Sequence, residues 1–300
     1  MLFRSPEGDN MALKMMLQLP LLVKAVNAEH KAIERLIQKQ QFDIIISDNR
    51  YGCYNKKAYN VFITHQLNIQ TPAHLRWLNP VIRQINKNRT SNFNECWVPD
   101  FQNQNNLSGD LSHGNFVSES VFYVGPLSRF YEKTDNRFAG EKDIAPILIL
   151  ISGPEPQRTI FEKLVLSQAG NLKVPTHIVC GRPGNYETYH LNDFIQVYSR
   201  LDSGSVYDLM QKSEVVICRS GYTTIMELAA TGKHATLIPT PGQTEQEYLA
   251  KKFLGEKIYN CQSQNVFNLE KAINDAGNFS GLRIENNFEL LHKRLDEILK

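Results

Sequence analysis

The sequence contains no Cys-x-x-Cys, no two histidines one helical turn apart and no Asp-x-Asp. The first two absences remove the usual spacings of a zinc site, and the third argues against a metal-chelated diphosphate. The five cysteines (Cys53, Cys96, Cys180, Cys218 and Cys261) are scattered and odd in number, which excludes a disulfide framework. Cys180 and Cys218 lie inside apolar runs, as reduced, buried thiols of a cytosolic protein do. No apolar run approaches the length of a membrane span. Met11–Val26 is rich in Leu and Met, but Lys14, Gln18, Pro20 and Lys24 interrupt it, so it reads as a buried helix, or else an interfacial one, and not as a signal peptide. A net charge of +2 is too small to point to nucleic acid. Charge of one sign is locally missing, however. From Arg50 to Asn94 there are seven basic residues and no acidic one, a field that suits a lipid headgroup or a pyrophosphate.

With 300 residues, two domains are expected. Short apolar runs alternate with helical patterns throughout, which predicts parallel sheets with functional groups at the carboxyl ends of strands. In the first half the strands are Phe42–Asp48, Ala58–Thr64, Cys96–Val98 and Val121–Val124. Pro72–Lys87 carries a helical stripe, and Pro20 is expected to break or kink the first helix. Residues 1–10 read as a frayed start. The domain lacks the strand and glycine-rich turn that normally open a doubly wound unit, so it is read as incomplete. Gly125–Asp143 is polar and turn-rich, the expected linker. The expected division is 1–142, an acceptor-side domain with linker; 143–279, a nucleotide-sugar domain; and 280–300, a closing helix.

The second half is a complete doubly wound unit. Its strands are Pro146–Ile151, His177–Cys180, Ile195–Tyr198, Val215–Cys218, Ala235–Pro239 and Lys257–Tyr259. The central stretch is Val215–Gly232: a buried strand, a Ser220-Gly221 turn and a helix stopped by Gly232. Such a turn leaves unpaired N–H groups and the positive end of a helix dipole, a site for phosphate. Thr223 and Glu227 share a helical face, and a carboxylate there can accept hydrogen bonds from a ribose diol. An ordinary βα junction with a surface glutamate is the alternative. Gly153 in Ser152-Gly153, Arg158 one turn into the next helix, Arg219, Gln243, Gln246 and Glu247 are further strand-end candidates. Together they describe a pocket for a nucleoside diphosphate carrying a sugar. Arg182 in Gly-Arg-Pro-Gly reads as a solvated turn residue, and His177 and His234 as structural.

The run Cys-Arg-Ser-Gly-Tyr-Thr-Thr-Ile-Met-Glu-Leu-Ala-Ala-Thr-Gly, with Leu-Ile-Pro and Gln-Thr-Glu-Gln-Glu-Tyr after it, resembles the C-terminal domain of family 28 glycosyltransferases. That family includes the bacterial peptidoglycan-precursor N-acetylglucosaminyltransferase. The likeness covers about residues 145–260 and implies the α/β GT-B fold of two Rossmann-like domains. It implies a UDP-sugar donor, with Glu227 on the ribose, Ser220, Gly221, Thr223 and Thr224 on the diphosphate, and Gln246 and Glu247 on the sugar. Phe62–Asn68 resembles the family's His-Glu-Gln-Asn segment, with Gln66 in place of the acidic residue. The mechanism implied is single displacement with inversion, without cofactor or metal. A base takes the acceptor proton, and His65 and Asp48 are the candidates. The expected activity is transfer of a hexose or N-acetylhexosamine to a lipid-linked or cell-envelope acceptor. The expected location is cytoplasmic, at the inner face of the membrane. A UDP-sugar epimerase of the same fold and a non-catalytic or truncated nucleotide-sugar binder are the competing readings.

Overall fold

The computed structural model describes residues 11–69, 71, 77, 79–103, 105–114, 119–131, 146–184, 186–285 and 288–300, with the side chains at 11–19, 22 and 83 excepted. The frayed start, most of the linker and the first half of the Pro72–Lys87 stripe lie outside these residues. The chain divides into two compact units. One runs to Leu127 and includes Phe288–Lys300; the other is Ser128–Asn287.

The first unit opens with helix α1 (Met11–Lys39), which passes through Pro20 without ending. One missing N–H donor is outweighed by the hydrogen bonds on either side of it. Strands β1 (Ile44–Asp48), β2 (Tyr59–Ile63), β3 (Glu95–Val98) and β4 (Val121–Tyr123) form a parallel sheet in that order. Helix α2 (Asn79–Thr90) connects β2 to β3. The loop after β1 comes very close to α1 at Gly52: a Cβ there would stand 2.3 Å from the Val26 carbonyl, so only glycine fits. Phe62, Leu67, Phe93, Cys96 and Val98 pack on one face of the sheet. Val61, Trp97 and Val124 pack on the other, against Leu291, Leu295 and Ile298 of the closing helix.

The second unit contains β5 (Ile147–Leu150), α3 (Gln157–Ala169), β6 (Thr176–Val179), β7 (Thr188–Asn192), β8 (Ile195–Tyr198) and α4 (Ser203–Lys212). It continues with β9 (Val215–Cys218), α5 (Tyr222–Thr231), β10 (His234–Leu237), α6 (Thr244–Gly255), β11 (Asn260–Cys261) and α7 (Leu269–Ala276). The sheet order is β11-β10-β9-β5-β6-β8-β7, parallel except for β7. The central strands are covered on both faces: Ile147, Ile149 and Ile217 pack with Phe161 and Val165 of α3 and Leu269 and Ala272 of α7, and the alternate residues Leu148 and Val216 are buried as well. The chain lays down β5, β6 and β8 in one direction, then crosses back to add β9 and β10 on the other side. The order therefore reverses between β5 and β9, and the crevice beyond their carboxyl ends is where such sheets hold ligands.

Three elements differ from the sequence expectation. The last strand is Asn260–Cys261 and not Lys257–Tyr259, because Lys257 takes a positive φ of 57° that a strand cannot accommodate. Helix α4 begins at Ser203, earlier than the apolar pattern shows. Strand β7 is an edge strand exposed from Thr188 to Leu191, so the alternation of Tyr189 and Leu191 faces no core. The closing helix, α8, runs Glu289–Ile298.

Candidate active site

The Ser-Gly turn after β9 delivers the backbone as the pattern requires. Gly221 is the N-cap of α5 and supplies no side-chain cap to the first turn of the helix, whose positive dipole end suits an anionic ligand. Gly232 ends the helix in the left-handed conformation at φ 67°, and its N–H closes on the Leu228 carbonyl. On the opposite wall, β5 turns through Ser152 and Gly153, the latter at φ 114°. Gly181, after β6, comes closest: a Cβ would lie 2.5 Å from the Ile151 carbonyl. Beyond these strand ends lies a cavity of about 490 Å³, which Ser152, Gly181, Arg182, Arg200, Thr224 and Glu227 help to line, whereas Gly153, Ser220 and Gly221 do not line it.

Glu227 is 4 % exposed, and its Oε1 accepts a 2.7 Å hydrogen bond from Nε of Arg129, a second cavity-lining residue. Burial pushes the carboxyl above its ordinary pKa, and the Arg129 guanidinium opposes that rise. Arg129 itself is about half exposed. Sequence reasoning missed it because it stands in a turn-rich segment with no strand or helix to give it an address. Arg182 is not a solvated turn residue. It lines the cavity and pairs with Glu162, which also holds Arg158.

Several candidates are committed elsewhere. Arg219 is 1 % exposed. Its guanidinium donates to the carbonyls of Ile238 (3.1 Å), Pro239 (3.3 Å) and Gln157 (3.2 Å) and to Oε1 of Gln264 (2.6 Å). It also lies 4.2 Å from the Phe161 ring centroid, and burial lowers its pKa to about 10. It ties the β9, β10 and α3 ends together inside the core and presents no donor to the cavity. Arg158, 8 % exposed, spends its donors on Glu155, Glu162, Thr159 and the Cys180 carbonyl (3.1 Å). The Ser220 hydroxyl donates 2.8 Å to the Gln246 carbonyl, which commits its proton to the turn. Gln246 caps the Thr240 amide (2.9 Å) and donates to Gln243 (2.6 Å), and Glu247 accepts from the Gly242 amide (2.9 Å). These three side chains organise the loop before α6. Thr223 is exposed at the start of α5 and Thr224 lines the cavity.

In the other unit Asp48 and His65 stand at the carboxyl edge of the sheet, after β1 and β2, where Asp48 pairs in register with Ile63. Asp48 is exposed and His65 half-buried. The His65–Asn68 segment is pinned from below: the Asn68 amide donates 2.8 Å to the Leu111 carbonyl and its side chain 3.2 Å to the Asp110 carbonyl. The same edge carries a pair that sequence reasoning missed, His113 Nε2 and the fully buried Asp100 Oδ2 at 3.2 Å. Its members are thirteen residues apart with no motif between them. His177 bonds Tyr198 and His234 bonds the Phe279 carbonyl, both within the fold. Among the described residues no cluster of His, Cys, Asp or Glu has the form of a metal site.

Residues 161–289 match the glycosyltransferase family 28 C-terminal domain. A 146-residue segment is 26% identical to the UDP-N-acetylglucosamine--N-acetylmuramyl-(pentapeptide) pyrophosphoryl-undecaprenol N-acetylglucosamine transferase of Haemophilus influenzae (strain PittEE). That match takes in 48% of this chain and 39% of the relative, so the similarity spans about two fifths of the relative's length. Among solved structures, the glycotransferase of kitacinnamycin superposes with a TM-score of 0.65 at 13% identity, over 99% of this chain and 85% of that one. A putative UDP-N-acetylglucosamine 2-epimerase from Listeria monocytogenes superposes at 0.50 and 11% identity, over 93% and 71%. At such identities both likenesses speak to the fold alone. The chain has the α/β GT-B fold, and its residues 161–289 match the glycosyltransferase family 28 C-terminal domain.

Proposed function

We propose that this chain transfers an N-acetylhexosamine or hexose from a UDP-sugar to a lipid-linked acceptor of the cell envelope, by inverting displacement without a metal. The observation that carries the reading is Glu227. It is a buried carboxylate on the wall of a nucleotide-sized cavity, one turn into a helix whose first amides have no side-chain cap. A ribose diol supplies two donors to the carboxylate while the diphosphate takes the amides of α5 and the guanidinium of Arg129. Arg129 and the helix dipole then stabilise the UDP that leaves. The family domain and the acceptor named for the Haemophilus relative support the same direction. On the acceptor side, His65 or Asp48 at the sheet edge takes the hydroxyl proton as the hydroxyl oxygen attacks the anomeric carbon. The reaction occurs at the cytoplasmic face of the membrane, where such an acceptor is reached.

Titration calorimetry with UDP tests the donor site. Glu227→Ala is expected to weaken UDP by about tenfold to a hundredfold, the range for losing hydrogen bonds to a charged group. Equal affinity in the two proteins overturns the site. Incubation with UDP-N-acetylglucosamine and the undecaprenyl-linked acceptor separates the activities: UDP release with a glycosylated lipid supports the transferase, and interconversion of the donor sugar without UDP supports an epimerase. EDTA is expected to leave the rate within about twofold, because the chain has no Asp-x-Asp to chelate a diphosphate-bound ion.

A further inference from the structure

Arg182 is held more firmly than a cavity-lining cation needs. Its Nε donates to both carboxylate oxygens of Glu162, at 3.0 and 3.2 Å, and its Nη2 donates to Oε1. Glu162 stands on α3, is 5 % exposed and also pairs with Arg158, whose Nε reaches Glu155 at 2.6 Å. Burial opposes ionisation of Glu162, but Arg182 and Arg158 prevail and hold its pKa below the ordinary value. Two guanidiniums and two carboxylates thus form one network with no net charge. As a charge, such a network has little attraction for a phosphate. What it offers the cavity is a directed donor. Nε and Nη2 of Arg182 are committed to Glu162, and Nη1 is not. The Tyr189 hydroxyl beside the guanidinium can occupy at most one of the two Nη1 hydrogens.

The order of the sheet decides which part of a ligand meets this donor. Along β9-β5-β6-β8, α5 follows β9, Arg182 follows β6 and Arg200 follows β8. The Arg182 amide donates 2.8 Å to the Ser199 carbonyl, so the β6 and β8 ends are side by side. A donor with its diphosphate at α5 and its ribose on Glu227 therefore extends its base toward β6 and β8. Leu150, Val179 and Leu201 give the cavity apolar lining suited to a ring. Arg200 lies over the Tyr186 ring, 5.6 Å from its centroid, and a guanidinium so backed is a surface on which bases stack.

We propose that Arg182, aimed by the buried Glu162, reads the oxo edge of the donor's nucleobase, so that this end of the cavity selects a 4-oxo pyrimidine over a 4-amino one. The oxo base presents an acceptor to the guanidinium. The amino base presents a donor instead and leaves both groups unpaired. Glu162 does not touch the base and acts through Arg182 as a positioning residue. The assignment rests on the UDP-sugar reading, since a base lies here only when the ribose is on Glu227.

Titration calorimetry of the full chain with UDP and with CDP is the test. Wild type is expected to prefer UDP by about tenfold to a hundredfold, the range for one hydrogen bond to a charged group. Arg182→Met keeps much of the side-chain length without its donors. It is expected to lose most of that preference by weakening UDP while CDP changes by about twofold or less. Glu162→Gln keeps Arg182 but loosens it, and should lower the preference by about threefold or more. If Glu162 serves the fold alone, Glu162→Gln lowers Tm and leaves the preference intact, which overturns its positioning role. Should that variant fail to fold, Arg182→Met still decides. Equal affinity of wild type for UDP and CDP overturns the proposal. So does an Arg182→Met that weakens both nucleotides by the same factor, the signature of a phosphate contact. A wild type that binds neither nucleotide overturns the UDP-sugar reading and this assignment with it. A preference for UDP that outlives Arg182→Met overturns this assignment alone.

Discussion

Glu227 combines two opposing demands: charge for a ligand and burial for the fold. A carboxyl with a folded-state pKa above its unfolded value holds its proton more tightly when folded. Its contribution to stability is then present below the ordinary carboxylate range and is lost as pH rises through the raised value. Glu227→Gln is accordingly expected to raise Tm at about pH 7 and to lose that advantage near pH 4, where wild type is protonated as well. Thermal melts of both proteins at the two pH values check this, and the stabilised variant should bind UDP worse. Arg219 shows what the sequence concealed. An arginine beside a Ser-Gly turn looks like a phosphate ligand, and nothing local says that its side chain turns back under Phe161. Because it bridges several buried acceptors, Arg219→Ala is expected to cost about 3 kcal/mol in chemical denaturation. Arg219→Lys should rescue little, since one ammonium cannot reach all of them. Neither change should alter the UDP affinity of the folded protein. Arg129 was illegible for the converse reason: its role is defined entirely by the distant Glu227.

At the scale of the element, legibility followed burial. The strand–turn–helix at Val215–Gly232 could be read because both of its elements are packed, so the apolar spacing is under physical constraint. Strand β7 could not, because an exposed edge constrains little beyond backbone pairing. Helix α4 lies between these cases. Its apolar positions begin at Val206, after the polar Asp202-Ser-Gly-Ser. The structure makes Asp202 the N-cap, its Oδ1 accepting from the amides of Gly204 (2.8 Å) and Ser205 (3.0 Å). Those amides and the Ser205 hydroxyl hold the carboxyl below its ordinary pKa. Asp202→Ala is expected to cost about 1 kcal/mol, the usual worth of a cap. The sign of its pH dependence is opposite to that of Glu227: the wild-type advantage is present above the ordinary carboxylate range and shrinks as pH falls through the lowered value. Urea denaturation of the pair at neutral and acid pH measures both.

The molecule as a whole has two compact units, each with buried apolar clusters of its own. The cluster around Ile149, Phe161 and Ile217 belongs to Ser128–Asn287, and those around Phe62 and Trp97 to the other unit. The last helix, α8, packs back onto the sheet of β1 to β4. There Arg294 pairs with Glu95, which also accepts from Trp97 Nε1 (2.6 Å) and the Tyr59 hydroxyl (2.5 Å). Burial opposes ionisation of Glu95, but Arg294 and the two aromatic donors prevail and hold its pKa below the ordinary value. A closing helix was legible in the sequence; its partner was not, because the contact joins residues 199 positions apart. Calorimetry of the full chain is expected to resolve two transitions. UDP at about a hundred times its Kd should stabilise the Ser128–Asn287 unit by about 2.7 kcal/mol and raise that transition alone. Arg294→Ala should lower only the other one, by about 2–3 kcal/mol, because it leaves the nearly buried Glu95 carboxylate without its cation. If UDP and Arg294→Ala move the same transition, the two units unfold as one.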